Sequence, residues 1–347
     1  MVFAIILMAL LALSLFGNLS SFMSGLVFSK GGGKHTRTVG PRLEEVITED
    51  NEASDKIAVI DVQGIITSHA FDSGGYSMVE LIKAQLKHAE DDNKVKAIIL
   101  KVDSPGGEVL ASDEIYRAIS DFQKSAHKTV VASMGNLAAS GGYYVSAPCQ
   151  WIIANPLTIT GSIGVIMHSW NYRGLMNKVG LQPETYKSGK FKDMLSGERN
   201  PDEITSEERE MVQRLINETY DRFKSVVAKG RAEAHEKNKK NAASDQGRTL
   251  VRDWEDYADG RVLSGSEALK LGFVDQNGNF EDAVDRAKMI AGISSANLVE
   301  FRQRYDISDI FRLFGQSESR VVKLDLGVEG PKLQAGQLYF LSPTLAH

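Results

Sequence analysis

Apolar residues are concentrated at the start of the chain. Residues 2–16 are almost wholly aliphatic, and no charged side chain occurs between residues 2 and 29. This length suits one crossing of a lipid bilayer, so we predict an uncleaved transmembrane anchor at residues 1–29. A cleaved signal peptide is the alternative, but such a peptide normally has a basic segment before its apolar run. None is present here.

Polar residues replace the apolar run after residue 29. Residues 30–56 include three consecutive glycines and mixed charges without periodicity, which predicts a flexible tether. Basic residues follow the apolar run directly; they are Lys30, Lys34, Arg37 and Arg42. Positively charged flanks tend to remain in the cytoplasm, so this pattern by itself favours a cytoplasmic tether.

Short β-rich runs then alternate with helical patterns. Apolar strands are predicted at 57–62, 95–102 and 129–133, and amphipathic helices at 78–90 and 111–122. Alternation of this kind predicts a largely parallel sheet covered by helices, which is an α/β fold.

Helical periodicity returns in the C-terminal half. Thr205 and Glu208 have the spacing of a capping box, and an apolar face continues from them to about Gly230. The lysine-rich segment at 233–245 is typical of a solvated loop. Folding is predicted to resume at 254–275.

One folded domain is predicted at residues 57–295, ending with a helix near 280–290. No internal repeat indicates a tandem duplication. Residues 296–347 are interpreted as a C-terminal tail because the pattern weakens there. The run 338–341 is too apolar for a purely solvated tail. Part of the tail is therefore expected to dock on the body or on a neighbouring protomer.

Composition narrows the class of function. The chain of 347 residues is 42% hydrophobic and 24% charged, as folded globular proteins are. Its net charge of -5 argues against nucleic-acid binding, which needs basic residues opposite the phosphates. The single cysteine, Cys149, excludes an internal disulfide and a multi-cysteine metal site. We expect no cofactor and no metal.

Glycine-flanked segments lie at the ends of predicted strands, at 103–107, 133–142 and 160–164. Sites in open α/β sheets form at such strand ends. Ser140 precedes two glycines at the predicted start of a helix, where backbone amides can stabilise an oxyanion. Ser140 is therefore a candidate nucleophile, although a purely structural N-cap serine would have the same local sequence.

A nucleophilic serine needs a base to accept its proton. His168, in a strand-like apolar run, would suit a Ser-His-Asp arrangement. A lysine is the other possibility, provided that burial or neighbouring hydroxyl groups lower its pKa. Three lysines lie close together, at Lys187, Lys190 and Lys192. Spacing alone does not choose among these candidates.

A series of motifs resembles that of the bacterial signal peptide peptidase A (SppA) family. In the family's order they are Asp-Ser-Pro-Gly-Gly at 103–107, Ala-Ala-Ser-Gly-Gly-Tyr-Tyr at 138–144, Thr-Gly-Ser-Ile-Gly-Val at 160–165, Ser-Gly-x-x-Lys-Asp at 188–193 and a C-terminal signature at 260–275. Several motifs in one order are far more specific than any single one. The resemblance extends over residues 57–290.

The resemblance implies a Clp/crotonase-like ββα superhelix with an N-terminal transmembrane helix, and a Ser-Lys dyad. The dyad is carried over here to Ser140 and Lys192, the lysine that matches the Ser-Gly-x-x-Lys-Asp motif. Ser162 matches the hydroxyl that assists the lysine. The backbone amides of Gly107 and Ser140 would form the oxyanion hole.

Activity and setting are also implied by the resemblance. The enzyme would be a membrane-anchored serine endopeptidase that degrades cleaved signal peptides and other short apolar peptides. It would be a homo-oligomeric ring in which neighbouring protomers complete each active site, so the dyad residues of one protomer can lie far apart. The family places its peptidase domain outside the cytoplasm, on a single-pass anchor in the inner (plasma) membrane. We follow the family here, against the modest bias of the basic flank.

Other interpretations stay open. One is a Ser-His peptidase that uses His168, or a relative specialised for a stomatin-like membrane partner. Acyl-CoA chemistry on a crotonase fold would need paired carboxylates facing the oxyanion hole, and no such pair lies near the glycine motifs. A catalytically silent membrane scaffold is the non-enzymatic alternative. It is disfavoured because the serine, the lysine and both glycine turns are all present.

Overall fold

The computed structural model describes residues 40–70, 75–240, 242, 245–304 and 338–341. The predicted anchor at 1–29 lies outside these residues, as does the predicted tether up to residue 39. Within the described part of the chain, no helix is both long enough and apolar enough to span a bilayer.

Strands and helices alternate along most of the described chain. The strands are β1 (Leu43–Glu49), β2 (Lys56–Gln63), β3 (Val95–Ser104), β4 (Gly106–Glu108), β5 (Thr129–Ala139), β6 (Trp151–Ala154), β7 (Ile159–Gly161), β8 (Ile166–Met167), β9 (Val262–Ser264), β10 (Gln276–Asn277), β11 (Asn297–Gln303) and β12 (Leu338–Leu341). The helices are α1 (Met78–Asp91), α2 (Val109–Ser125), α3 (Gly141–Ser146), α4 (Arg173–Lys178), α5 (Ser206–Asn238), α6 (Gly265–Leu271) and α7 (Phe280–Ala291).

The main sheet has the order β1-β11-β2-β3-β5-β6-β10, with β7 beside the far end of β5 and β9 beside β7. Every pair from β11 to β10 is parallel, whereas β1 pairs with β11 and β9 with β7 in antiparallel fashion. The predicted parallel sheet is therefore confirmed, with strands and helices close to the predicted bounds.

Apolar side chains of the central strands alternate between two hydrophobic clusters, one on each face of the sheet. On β3, Ile98 and Leu100 face the cluster that includes residues of α1 and α2, whereas Ala97 and Ile99 face α7. Each fully buried side chain of this size contributes about 1.5–3 kcal/mol. Because both faces of these strands are buried, their sequences are continuous apolar runs and do not alternate between apolar and polar residues.

Helix α5 is longer than the sequence predicts. Its capping box forms as expected: the side chains of Thr205 and Glu208 each accept from the other residue's backbone amide. However, the helix continues to Asn238, so the predicted loop beginning at residue 233 is wrong for its first six residues. Asn238 is fully buried and exchanges hydrogen bonds with Gln150. Burial of a paired polar side chain, which hydropathy does not reveal, extends the helix.

A buried ion pair connects α5 to the sheet. Arg231 donates to Asp275, and both side chains are almost fully buried. The same carboxylate accepts hydrogen bonds from the amides of Ile152, at 2.8 Å, and Arg248, at 2.9 Å. Removing one partner of such a pair typically costs about 3–5 kcal/mol, so this contact fixes α5 on the body.

A second sheet involves the C-terminal segment. Strand β12 lies between β4 and β8 and is antiparallel to both. Phe340 is opposite Gly107, and Tyr339 is opposite Ile166. The apolar run 338–341 is thus a paired strand, directly beside one of the glycine motifs.

Candidate active site

Ser140 lies at the turn between β5 and α3. Its backbone angles are φ 54° and ψ -116°, a combination that residues other than glycine rarely adopt. The residue is 1% exposed, and its Oγ has no hydrogen-bond partner among the described residues. A buried, unpaired hydroxyl on a strained strand-to-helix turn is an unusual arrangement for a structural serine. It is typical of a nucleophile.

A bulge in β5 brings the chain to this turn. The register of β5 against β3 shifts after Val102. Oδ1 of Asp103 accepts a hydrogen bond from the amide of Leu137 at 3.1 Å, inside the bulge. A Cβ on Gly135 would lie 3.1 Å from Cγ of Asp103. The first residue of the Asp-Ser-Pro-Gly-Gly motif therefore positions the segment that leads to Ser140.

Gly107 presents its amide to the groove between β4 and β8. The Gly106 carbonyl accepts from the Ile66 amide at 2.9 Å, and the Glu108 amide donates to the Ile66 carbonyl at 2.8 Å. Backbone groups alternate along a strand, so the Gly107 N–H points to the opposite edge, where Phe340 is its partner. The Gly107 amide is therefore directed toward β12.

The amide of Ser140, the other predicted oxyanion-hole donor, already has a partner within the protomer. It donates to the carbonyl of Gly161 at 2.8 Å and is therefore not available to a second acceptor. The neighbouring amide of Gly141 is the better placed of the two. A Cβ on Gly106 would lie 2.6 Å from the Gly141 nitrogen, and a Cβ on Gly141 would lie 3.1 Å from the Gly107 nitrogen. Two amides thus approach each other next to the serine.

Glu108 holds the loop on the other side of β4. Its carboxylate accepts from Thr67 at 2.9 Å and from both the amide and the hydroxyl of Ser68, and it contacts His69 at 3.0 Å. Burial would raise the pKa of Glu108, but these hydrogen bonds outweigh burial and lower it. Glu108, which follows Gly107, is therefore ionised and holds the loop at residues 67–69 in place.

Ser162 lies near the turn and is also strained. It is 6% exposed, has φ of 50°, and its amide donates to the carbonyl of Arg261 at 2.7 Å. No hydrogen bond joins the hydroxyl groups of Ser162 and Ser140 in the described structure. Both serines nevertheless flank Gly161, because the Ser140 amide is bonded to that residue's carbonyl.

Lys192 is exposed, on a turn where its amide donates to the carbonyl of Gly189 at 3.3 Å. No hydrogen bond or ion pair of the described residues includes its Nζ, whereas neighbouring Lys187 pairs with Asp193 at 2.6 Å. The structure of one protomer therefore does not bring Lys192 to the buried Ser140.

His168 is exposed immediately after β8. It makes no hydrogen bond to Ser140 in the described structure, since the Ser140 hydroxyl has no partner there. Nothing in this geometry couples the histidine to the serine.

Sequence reasoning missed one feature of the site, the amide of Gly141, which the Ser-Gly-Gly motif contains but which the sequence does not distinguish from that of Ser140. Residues 338–341, expected from their apolar composition to dock on the body or on a neighbouring protomer, pair with the glycine motif at 103–107.

Comparisons with known proteins show the family of the chain. The Peptidase family S49 model matches residues 122–246 and 243–294, and the Clp protease model matches residues 56–162. A signal peptide peptidase SppA of Enterococcus faecium is 36% identical over 264 residues, which are 75% of this chain and 71% of that one. The chloroplastic serine protease SPPA of Arabidopsis thaliana is 31% identical over 80% of this chain and 38% of its own length.

A solved structure of a membrane-bound stomatin-specific protease, 14% identical, covers 73% of this chain and 100% of that one, with a TM-score of 0.41. That score is too low to support any statement about this chain.

The mixed α/β fold, the Clp protease match and the SppA relatives define a serine-type peptidase. The chain belongs to peptidase family S49 and is similar to its SppA members.

Proposed function

We propose that this protein is a membrane-anchored serine endopeptidase with Ser140 as nucleophile and Lys192 as general base. Its substrates are cleaved signal peptides and other short apolar peptides. The fold is a Clp/crotonase-like ββα superhelix that follows a transmembrane anchor at residues 1–29. The peptidase domain lies outside the cytoplasm, on a single-pass anchor in the inner membrane.

The observation that carries this proposal is the state of Ser140. Its hydroxyl is buried and has no hydrogen-bond partner among the described residues, its backbone is strained, and the backbone nitrogens of Gly107 and Gly141 lie close to this turn. A structural serine would be expected to use its hydroxyl in a hydrogen bond, because an unsatisfied buried hydroxyl is costly. Here the cost is compatible with a group that must remain free to attack a carbonyl carbon.

The reaction proceeds by acyl transfer. The Ser140 Oγ attacks the peptide carbonyl while the neutral amine of Lys192 accepts its proton, which forms a tetrahedral intermediate. The amides of Gly107 and Gly141 stabilise the oxyanion. Lys192 then returns the proton to the leaving amine as the C–N bond breaks. Water hydrolyses the acyl-enzyme by the same route in reverse and regenerates the serine.

Lys192 reaches the serine from a neighbouring protomer in a ring. Exposure of Lys192 supports this arrangement, since the side chain is accessible to a neighbouring protomer. The Ser162 hydroxyl, next to Gly161, would hydrogen-bond the incoming amine and orient it. Assembly is therefore the step that completes the site.

Single substitutions test the dyad. Assays of an apolar quenched-fluorescence peptide should show that Ser140→Ala and Lys192→Ala each lower kcat by at least about a thousandfold. His168→Ala should retain activity within about threefold of wild type, because an exposed histidine is not coupled to the serine. Lys190→Ala, a lysine in the same turn, is the matched control and should also retain activity.

Two outcomes would contradict the proposal. Loss of turnover in His168→Ala with retention in Lys192→Ala would identify a Ser-His peptidase. Failure of a fluorophosphonate probe to label Ser140 in the assembled wild-type protein would favour a silent membrane scaffold.

A further inference from the structure

A single peptide unit sets the direction of the Gly107 amide. The Gly106 carbonyl and the Gly107 N–H belong to the same planar trans peptide, so they point in opposite directions. The Gly106 carbonyl accepts from the Ile66 amide at 2.9 Å, on the side of β4 away from β12. This hydrogen bond therefore keeps the N–H that is assigned to the oxyanion directed toward the groove.

The peptide unit between Gly106 and Gly107 offers little resistance to rotation by itself. Gly106 has a φ of 101°, in a region that glycine enters freely, and Gly107 also lacks a side chain. A flip of the unit would turn the carbonyl oxygen into the groove and the N–H toward Ile66. It would remove one donor and place a negative partial charge where the oxyanion forms. Contacts outside the peptide unit must therefore oppose the flip.

Ile66 provides those contacts because its backbone lies directly against β4. It is fully buried, and its carbonyl accepts from the Glu108 amide at 2.8 Å. The approach is so close that a Cβ on Gly107 would lie 1.9 Å from the Ile66 carbonyl oxygen. A small shift of this segment away from β4 would break the hydrogen bonds on both sides of Gly107.

The side chain of Glu108 holds the residues that follow Ile66. Its Oε1 accepts from the Thr67 hydroxyl at 2.9 Å and contacts Nδ1 of His69 at 3.0 Å. Its Oε2 accepts from the amide of Ser68 at 2.9 Å and from the hydroxyl of the same residue at 2.5 Å. The carboxylate side chain is only 13% exposed. An ionised carboxylate can accept at every one of these positions, whereas the NH₂ group of an amide can only donate.

We propose that Glu108 is a positioning residue for catalysis: its carboxylate holds residues 67–69 against β4 and so keeps the Gly107 N–H directed at the oxyanion. The inference rests on the proposed peptidase function of Ser140. Glu108 acts through the backbone of Ile66 and Gly106. Because the oxyanion forms only after the serine attacks, loss of this carboxylate weakens binding of the transition state more than binding of the substrate.

Two constants that do not depend on the folded fraction of the protein test this role. One is KM for the apolar quenched-fluorescence peptide, and the other is the inhibition constant of a peptide aldehyde of the same sequence. The Ser140 hydroxyl adds to the aldehyde carbonyl, and the resulting hemiacetal oxygen occupies the oxyanion position. For Glu108→Gln we expect the inhibition constant to rise, and kcat to fall, by at least about tenfold, with KM within about twofold of wild type.

Glu114→Gln is the matched control. Glu114 lies on α2, the helix that follows Glu108, and pairs with Lys83 at the surface. All three constants should stay within about twofold of wild type in this variant. An unchanged inhibition constant in Glu108→Gln, or an equal rise in both variants, would overturn the proposal.

A double variant tests whether Glu108 acts through the loop. Ser68→Ala removes one donor to the carboxylate and should raise the inhibition constant in the wild-type background by about threefold. It should have a smaller effect in the Glu108→Gln background, because the interaction that it removes is already lost there. Equal effects in both backgrounds would show that the two residues act independently, contrary to the proposal.

Hydrogen exchange separates this role from the peptidase function. Should the wild type cleave no peptide, the proposed function fails, and exchange of the Ile66 amide in the full chain still decides on Glu108. Mass spectrometry should show this amide exchanging at least about tenfold faster in Glu108→Gln than in wild type or Glu114→Gln. The same exchange rate in all three proteins would mean that the carboxylate does not hold the segment.

Discussion

Gly106 and Ser140 both have positive φ angles, of 101° and 54°, for different reasons. At Gly106 a side chain has no space, since a Cβ would lie 1.9 Å from the Phe340 carbonyl oxygen. At Ser140 a hydroxyl side chain is required, so glycine cannot replace the residue. The strained backbone conformation, which costs about 1–3 kcal/mol, is tolerated because it positions that hydroxyl. The hydrogen bond from the Ser140 amide to Gly161 helps to hold that conformation.

Gly106→Ala should therefore block the groove. We expect peptide turnover to fall by at least about a hundredfold, because the added methyl group would lie 2.6 Å from the Gly141 nitrogen, one of the two amides assigned to the oxyanion. The assay is cleavage of the apolar quenched-fluorescence peptide, with circular dichroism to check folding.

Gly292→Ala is the control for this change. Gly292 follows α7 with φ of 68°, and no atom lies within 4 Å of its would-be Cβ. The Gly292→Ala protein should be about 1 kcal/mol less stable than wild type, because alanine is strained at positive φ, but it should keep its activity. Equal activity of the Gly106→Ala and Gly292→Ala proteins would contradict the role given to Gly106.

At the scale of elements, the turn that carries Lys192 is connected to the start of α5. Asp193 pairs with Lys187 at 2.6 Å and lies 3.7 Å from Arg199, which in turn contacts Glu208 at 2.5 Å. Exposed ion pairs contribute little singly, but Arg199 and Glu208 are 16% and 4% exposed, and they form a connected network. This chain of charges positions the lysine turn on a rigid helix.

Glu208→Gln removes the charge but keeps a capping-box side chain. The hydrogen bond from Arg199, followed by those from Thr205, lowers the pKa of Glu208 from 4.5 to about 2. Since the folded pKa is the lower one, the stabilisation is complete above pH 4.5 and is lost as pH falls through 2. The variant should melt at a lower temperature than wild type at pH 7, and this difference should shrink between pH 4.5 and 2.

Exposed Glu210→Gln on the same helix serves as the comparison. Melting curves recorded by circular dichroism should show no pH-dependent difference between it and wild type. A difference between wild type and Glu208→Gln that persists at pH 2 would mean that the charge is not responsible.

At the scale of the whole molecule, one protomer leaves several large apolar side chains uncovered. Leu157, Trp170 and Tyr186 are 86%, 81% and 92% exposed. Large exposed apolar side chains of this kind are enriched in interaction surfaces. Together with the exposed lysine and the buried serine, they support a ring in which each protomer supplies Lys192 to the next.

Mixing two inactive variants tests whether the site is shared. Ser140→Ala and Lys192→Ala proteins, unfolded together and reassembled at equal amounts, should regain about a quarter of wild-type activity, because half of the serines are intact and half of their neighbours carry the lysine. Mixing Ser140→Ala with the double variant is the control and should stay inactive. No recovery in the first mixture, in rings of normal size, would place both residues in one protomer.

The sequence by itself determined the layers of the fold and the position of the serine. Alternating apolar runs and amphipathic stretches predicted the parallel sheet and its helices, because burial on both faces of a sheet imposes that periodicity. The order of the glycine motifs indicated the family, which the comparisons confirmed. The roles of Lys192 and Ser162 stay predictions.

Tertiary structure alone decided how distant segments meet. Hydropathy does not show that Asn238 is buried beside Gln150, or that the Ser140 amide is bonded to Gly161, leaving Gly141 as the better placed amide. Nor does it align Phe340 with Gly107, more than two hundred residues away in the chain. These contacts depend on backbone hydrogen bonds between segments far apart in sequence, and such bonds leave almost no trace in residue type.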